Sequence, residues 1–174
     1  TGKRAWLDIA DKSAQHVNQV FFDGDSKYNG GNPVNQAPGH HAPELALCRL
    51  YRATGNKLYL DMAKKFLDIR GVTYRPEGKG TMSPSYAQQH APVAEQDTAV
   101  GHAVRAAYMY AAMADVSALT GDDSYTQALE DVWKNIVDKK MHITGGLGAI
   151  HGIEGFGENY DLPNLEAYNE TCAA

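Results

Sequence analysis

The sequence has few of the residues that mark several common protein classes. Its 174 residues include only two cysteines, which excludes a small fold held together by disulfides. Lys and Arg number 16 against 21 Asp and Glu, for a net charge of -5, and the basic residues form no stripe. Because phosphate binding needs clustered Lys and Arg, we expect no nucleic-acid partner.

Long apolar runs are also missing. None approaches the roughly 20 residues that a membrane-spanning helix needs, so we expect no membrane partner. What remains is ordinary for a globular domain, with 43% hydrophobic and 21% charged residues. Cys48 lies in one of the short apolar runs, and we predict that it is a buried core thiol.

Helical periodicity dominates the rest of the chain. Apolar residues recur at helical spacing in five segments, and Gly-, Pro- and Asn-rich stretches separate them. The predicted helices are 3–20, 43–53, 59–70, 97–119 and 125–139, and 141–144 is predicted as a short strand. The sequence therefore predicts an all-α fold.

A repeat underlies this pattern. "TGNKLY" and "TGDDSY" share Thr, Gly and Tyr at the same spacing, and each follows a helix that opens near a Gly-His pair. The array is therefore one of helical hairpins, which need neighbours to bury their apolar faces. Open solenoids and closed toroids are both built this way. The long irregular loops favour a toroid, because such loops tend to be functional and would gather around its central cleft.

Three groups of residues could carry chemistry. His40 and His102 occupy equivalent places in the two repeats, so they could line one cleft or merely satisfy helix ends. Glu154 stands in a Gly-rich stretch with Glu158, and glycosidases need carboxylic acids, although solvated loop glutamates are an equal alternative. Glu170 and Cys172, in "NETC", are both possible zinc ligands, and they could share a metal only if the segment is not helical.

The stretches "PGHHAPELALCRLYRATGNKLYLDMAKKFLDIRG", "HAPVAEQDTAVGHAVRAAYMYAAMADVSALTGD" and "KKMHITGGLGAIHGIEGFGENYDLPNLEAYNETCA" closely resemble the beta-L-arabinofuranosidase family, glycoside hydrolase family 127. The resemblance covers nearly the whole chain from about Pro38. It implies a six-hairpin (α/α)6 toroid, of which residues 1–174 would be a partial catalytic domain truncated at its C-terminus.

The resemblance also implies roles for individual residues. It makes Glu154 the general acid/base with His151 alongside, assigns His40, His102 and His151 to the sugar site, and makes Glu170 and Cys172 zinc ligands. The family's nucleophile is another zinc-bound cysteine, from a Cys-Cys pair that this sequence does not contain. We therefore expect the complete protein to bind zinc and the isolated chain to be inactive.

The expected function is removal of beta-L-arabinofuranosyl residues from plant-type glycans with retention of configuration, and the expected partner is such a carbohydrate. Two other functions stay open at this point. One is a metal-free toroid glycosidase with two carboxylates, and the other is a non-catalytic glycan-binding or helical-repeat module. A partial toroid would also expose apolar hairpin faces, so association through those faces is expected.

Overall fold

The computed structural model describes residues 4–73, 83–169 and 171–173. Within these ranges the chain is helical and contains no strand, only isolated bridges at His102, Ile150 and Gly155. The five helices are α1 (Ala5–Asn18), α2 (Ala42–Thr54), α3 (Lys57–Ile69), α4 (Ala103–Thr120) and α5 (Thr126–Lys139), and a π turn, Gln19–Asp23, continues α1. Single 3₁₀ turns lie at Asn29–Gly31, Val93–Glu95, His151–Ile153 and Thr171–Ala173. The predicted all-α class is confirmed.

The two Thr-Gly repeats form the same hairpin turn. Gly55 and Gly121 both take the left-handed conformation that ends a helix, with φ of 71° and 73°. The preceding threonines, Thr54 and Thr120, each donate to a carbonyl one turn earlier, at 2.8 and 2.7 Å. Each hydroxyl also accepts the amide two residues later. The short motif therefore fixes where each hairpin reverses.

The repeated tyrosines join neighbouring hairpins. Tyr59 and Tyr125 are almost completely buried, and each hydroxyl donates to an aspartate of an earlier helix. Tyr59 bonds Asp11 of α1, and Tyr125 bonds Asp68 of α3. Each tyrosine thus packs its ring in the core and satisfies its hydroxyl on the adjoining unit.

One continuous core lies between α2, α3 and α4. Its centre is fully or almost fully buried, and the π turn adds Phe21 and Phe22, whose rings pack against Phe66 at 5.5 and 4.7 Å. Cys48 is completely buried in this core, as predicted. The central side chains are Leu47, Cys48, Met62, Phe66, Leu67, Met109 and Met113.

Helices α2 and α4 run side by side in the same direction. At their C-terminal ends Arg52 makes a two-pronged ion pair with Asp115, at 2.8 and 2.9 Å. At their N-terminal ends Arg105 donates to the carbonyl of Gly39, just before α2. The loops that precede α2 and α4 therefore meet at one end of the helix pair.

Two predicted elements were wrong. Helix α4 was expected from Asp97 but begins at Ala103, because side chains at the C-terminal end of α5 bind the backbone of Ala99. The Ala99 amide donates to Asn135 (3.1 Å), and the Ala99 carbonyl accepts from Lys140 (2.8 Å). The predicted strand 141–144 is a turn, closed by the amide of Gly145 on the carbonyl of His142 at 2.8 Å. No described strand lies beside it, so strand pairing is unavailable.

Within the described residues, no helix combines the length and apolarity that crossing a bilayer requires.

Candidate active site

His102 caps the N-terminus of α4 and contacts Glu154. Its Nδ1 accepts the amide of Arg105 at 3.4 Å, and its Nε2 lies 3.0 Å from Oε2 of Glu154. Because Nδ1 accepts, the proton of the neutral ring is on Nε2, which then donates to the glutamate. The capping bond therefore selects the tautomer that holds the carboxyl group.

The loop that carries Glu154 docks on the start of α4 through its backbone. The amide of Ala103 donates to the carbonyl of Glu154 at 3.0 Å, and the amide of Phe156 donates to the carbonyl of Gly101 at 2.9 Å. A Cβ on Gly155 would lie 2.4 Å from that Gly101 oxygen. Glycine is required here because the two backbones come too close for a side chain.

Glu154 has an unusual backbone and an accessible side chain. Its φ of 51° lies in the left-handed region, which is uncommon for a residue other than glycine. Its side chain is 42% exposed, while that of His102 is 10% exposed. A strained, partly exposed glutamate held by a buried histidine is typical of a functional site.

Gly101 supports this arrangement and gives a prediction. Its φ is 72°, and an added Cβ would lie 2.1 Å from the carbonyl oxygen of Ser85. Gly121 has nearly the same φ, 73°, but open space around it. We expect Gly121→Ala to lower the free energy of unfolding by about 1 kcal/mol through left-handed strain alone. Gly101→Ala should lower the free energy of unfolding by about 2 kcal/mol more than Gly121→Ala does, because the backbone must also move to make room for the Cβ.

Chemical denaturation of the two variants beside the wild type checks this difference. Equal losses in both variants would mean that the close approach at Gly101 carries no steric cost.

His40 lies beside the second turn of α4. It is exposed, and its ring packs against the Tyr108 ring in a T-shaped arrangement with a centroid distance of 5.5 Å. Tyr108 lies six residues after His102, which is about 9 Å along a helix axis. His40 and His102, two of the predicted sugar-site histidines, are therefore held at the same end of α4.

The equivalence of the two Gly-His pairs is offset by one residue. His102 is the N-cap of α4, whereas the N-cap of α2 is His41 and not His40. His41 is completely buried, and this burial, reinforced by the charge of Arg70, holds its pKa well below the usual value. The offset leaves His40 outside the core.

His151 is exposed in the Glu154 loop, where it begins the 3₁₀ turn His151–Ile153. Its ring lies 5.5 Å from that of Tyr168. Since Glu154 directly follows this turn, its amide donates to the carbonyl of His151 at 3.2 Å. His151 is therefore a local neighbour of Glu154, and its predicted role towards a sugar stays a prediction.

The predicted zinc ligands are described only in part. Glu170 lies outside the described residues. Cys172 is a free, exposed cysteine in the 3₁₀ turn Thr171–Ala173, not in the non-helical segment that was expected. No three His, Cys, Asp or Glu side chains among the described residues form a cluster that could hold a metal ion. An exposed thiol fits zinc, which binds cysteine as thiolate, so Cys172 remains a chemically suitable ligand.

Two further side chains near the site serve the fold. Gln96 is buried and donates to the backbone of Gln88 and Ala91, both at 2.9 Å. Phe156 belongs to a small core cluster around the start of α4. Both side chains hold the loops together.

Two residues near the site were not assigned a role from the sequence. The guanidinium of Arg105 lies 5.2 Å from the ring centre of Tyr86, and the Tyr86 ring lies 5.6 Å from that of His102. Arg105 stands within the quoted "VGHAVR" stretch, three residues after His102. That helical spacing was the available signal, whereas nothing local marked Tyr86.

The helical hairpins define the class of protein as a helical-repeat protein, and the His–Glu pair lies at the end that the hairpins share. The profile of the beta-L-arabinofuranosidase GH127 catalytic domain matches residues 1–174. The chain therefore belongs to glycoside hydrolase family 127.

Individual relatives agree with this. The chain is 37% identical over 188 residues to a non-reducing end beta-L-arabinofuranosidase of Bifidobacterium longum, covering 100% of this chain and 28% of that protein. A solved GH127 beta-arabinofuranosidase is 54% identical, with a TM-score of 0.88, over 99% of this chain and 25% of its own. A GH127 beta-L-arabinofuranosidase from Geobacillus stearothermophilus T6 is 43% identical, with a TM-score of 0.89, over 99% and 28%.

These likenesses confirm the predicted fold class, helical hairpins that form part of an (α/α)6 toroid. They also extend the similarity to the N-terminal side of Pro38. The chain spans about a quarter of the length of the relatives that it matches.

Proposed function

We propose that the complete protein is a retaining glycoside hydrolase that releases beta-L-arabinofuranosyl residues from plant-type glycans or glycoconjugates. The 3.0 Å contact between Nε2 of His102 and Oε2 of Glu154 carries this proposal. This contact joins the N-terminal end of α4 to the Gly-rich loop, and His40 is held at the same end of α4. The similarity to arabinofuranosidases supplies the class of substrate.

Glu154 is the general acid/base in this proposal. It protonates the leaving-group oxygen in the first step and takes a proton from water in the second. His102 donates to Oε2, so the transferable proton is on the other carboxyl oxygen, Oε1. The exposed fraction of the Glu154 side chain leaves that oxygen room to reach a substrate.

His40 and His151 supply hydrogen bonds to sugar hydroxyls in this proposal. Both are exposed, and each makes a T-shaped ring contact with a tyrosine, which limits the orientation of the histidine ring. Neutral imidazoles can donate and accept at once, which suits a ligand made of hydroxyl groups. Burial of His102 and exposure of the other two histidines separate the group that holds Glu154 from the groups that meet the sugar.

Zinc belongs to the proposal through Glu170 and Cys172, which would hold it together with ligands from the rest of the protein. When bound, zinc keeps cysteine thiols deprotonated and available as nucleophiles. The described residues contribute one free thiol to such a site. The isolated chain is accordingly expected to be inactive.

Hydrolysis of 4-nitrophenyl beta-L-arabinofuranoside by the complete, zinc-loaded protein tests the proposal. We expect release of nitrophenol, with beta-L-arabinofuranose as the first-formed anomer in a proton NMR time course. An alpha anomer formed first would contradict retention, and no hydrolysis of beta-L-arabinofuranosides would contradict the function.

Association through an apolar face is part of the proposal for the isolated chain. A groove of about 920 Å³ lies between α4 and α5. One wall is a stripe of alanines, and the other includes Trp133, which is 67% exposed. Small residues let a further helix approach closely, and an apolar patch of this kind promotes self-association. The alanines are Ala107, Ala111, Ala114 and Ala118.

This gives a prediction for the isolated 174-residue chain. We expect sedimentation velocity to show concentration-dependent association, which Trp133→Glu weakens by about tenfold or more in dissociation constant, since it places a charge in an apolar interface. Leu165→Glu is the matched control, because Leu165 is 98% exposed and does not line the groove. Equal effects of both substitutions would show that the groove is not the contact face.

A further inference from the structure

Two arginines hold the segment that leads into His40. Arg70 donates to the carbonyl of Pro38 at 2.8 Å, and Arg105 donates to the carbonyl of the next residue, Gly39. Consecutive carbonyls directly before His40 are thus bound by guanidinium groups from two different helix ends. Backbone bound in this way has little freedom to move the following side chain.

Arg70 is fixed in the protein interior. Its side chain is completely buried and forms an ion pair with the equally buried Glu44 at 2.9 Å. It also donates to the carbonyl of Ala87 at 3.2 Å. Arg70 therefore ties Pro38 to α2 and to the segment before α4. Removing one partner of such a buried pair is strongly destabilising, which makes Arg70 itself a poor test.

Arg105 connects the two histidine-bearing segments. While one of its nitrogens binds Gly39, its guanidinium lies over the ring of Tyr86, 5.2 Å from the ring centre. The Tyr86 ring in turn makes a T-shaped contact with the His102 ring, with centroids 5.6 Å apart. Arg105 thus touches the neighbour of His40 on one side and the neighbour of His102 on the other.

We propose that Arg105, supported by Arg70, is a positioning residue of the sugar site that fixes His40 relative to His102. It acts through the Gly39 carbonyl and the Tyr86 ring. This inference rests on the proposed function for the role of His40, but the bonding of the segment does not depend on it. One guanidinium nitrogen of Arg105, Nη1, binds the Gly39 carbonyl, and the double-substitution test with His40 distinguishes this positioning role from direct contact with the sugar.

The kinetic test uses the complete protein and an aryl beta-L-arabinofuranoside. We expect Arg105→Met to lower kcat/KM by roughly tenfold to a hundredfold, the cost of a small displacement in a binding site, mostly through KM. Arg105→Lys should recover part of the loss, because its ammonium can still reach the Gly39 carbonyl. In a His40→Ala background, Arg105→Met should lower kcat/KM by less than about threefold, because the effects of substitutions at coupled residues are not additive.

Arg52→Met is the matched control. Arg52, like Arg105, is an arginine that links α2 to α4. It does so at the opposite end of α2, through a two-pronged ion pair with Asp115. We expect it to leave kcat and KM within about twofold of wild type. If Arg105→Met lowers kcat/KM equally with and without His40, the proposal is overturned. Arg105 would then act on the sugar itself or on the fold as a whole.

Hydrogen–deuterium exchange gives a readout that needs no activity. We expect Arg105→Met to increase amide exchange in a peptide that covers 38–41, while Arg52→Met leaves that peptide unchanged. Unaltered exchange in 38–41 would overturn the positioning role whatever the kinetics show. If wild-type protein hydrolyses no arabinofuranoside but exchange responds as expected, the proposed function fails and the positioning of the segment stands.

Discussion

Glu154→Gln is expected to remove nearly all activity of the complete protein on substrates with poor leaving groups. A glycan oxygen must be protonated as it leaves, and loss of the general acid costs typically 10²–10⁴-fold. Glutamine keeps the shape of the side chain and can still accept from Nε2 of His102 through its carbonyl, so the loss reports proton transfer and not packing. The measurement is kcat/KM on an arabinofuranosyl oligosaccharide.

An activated aryl substrate separates this role from simple binding. Nitrophenolate leaves without protonation, so its kcat/KM, which reports the first step, should fall by less than about tenfold. The second step still lacks a base, so kcat should fall more than kcat/KM. Added azide, which needs no deprotonation, should then restore turnover and yield a glycosyl azide.

Glu158→Gln is the matched control for this experiment. Glu158 lies in the same Gly-rich stretch and is exposed, but among its described contacts no histidine holds it as His102 holds Glu154. Its substitution should change neither substrate's kcat/KM by more than about twofold. Equal losses on both substrates for Glu154→Gln would show that Glu154 is not the acid.

The local parts of the fold could be predicted because short-range chemistry determines them. In each Thr-Gly turn the threonine hydroxyl donates to the carbonyl four residues earlier, that of Leu50 or Val116. The motif alone therefore predicts these turns. The start of α4 could not be predicted, because Ala99 is held by Asn135 and Lys140 across more than 30 residues of chain. Periodicity carries no information about such bonds.

The same distinction applies to the candidate site. Residue type and the family resemblance singled out His102 and Glu154, and the structure brings them into contact although they are 52 residues apart. Arg105 was not singled out, because its partner Gly39 lies 66 residues away. A side chain whose role is to hold another segment's backbone has no sequence signature, since any carbonyl can be its acceptor.

Cys172→Ser is expected to abolish tight zinc binding by the complete protein. The expectation rests on the chemistry of the thiol: Cys172 is free and exposed, and zinc binds cysteine as thiolate at sites of three or four protein ligands. Serine does not supply an equivalent ligand, because its hydroxyl is not ionised near neutral pH. Replacing one thiolate should weaken retention enough for a mild chelator to remove the metal. Metal analysis after dialysis gives the zinc content without reference to activity.

The other cysteine of the chain makes this test specific. Cys48 is completely buried in α2, and burial, together with the nearby charge of Asp115, raises the pKa of its thiol to about 11. It is therefore a packing residue, and Cys48→Ala should retain stoichiometric zinc while losing about 1 kcal/mol of stability to the small cavity. The isolated 174-residue chain should bind zinc weakly, because it lacks the ligands from the rest of the protein. Without them, the free energy of metal binding has to offset the deprotonation of its thiol with fewer metal–ligand bonds. Stoichiometric zinc retained by that chain, or by the Cys172→Ser protein, would show that the metal is held by other residues and that Cys172 has been assigned wrongly.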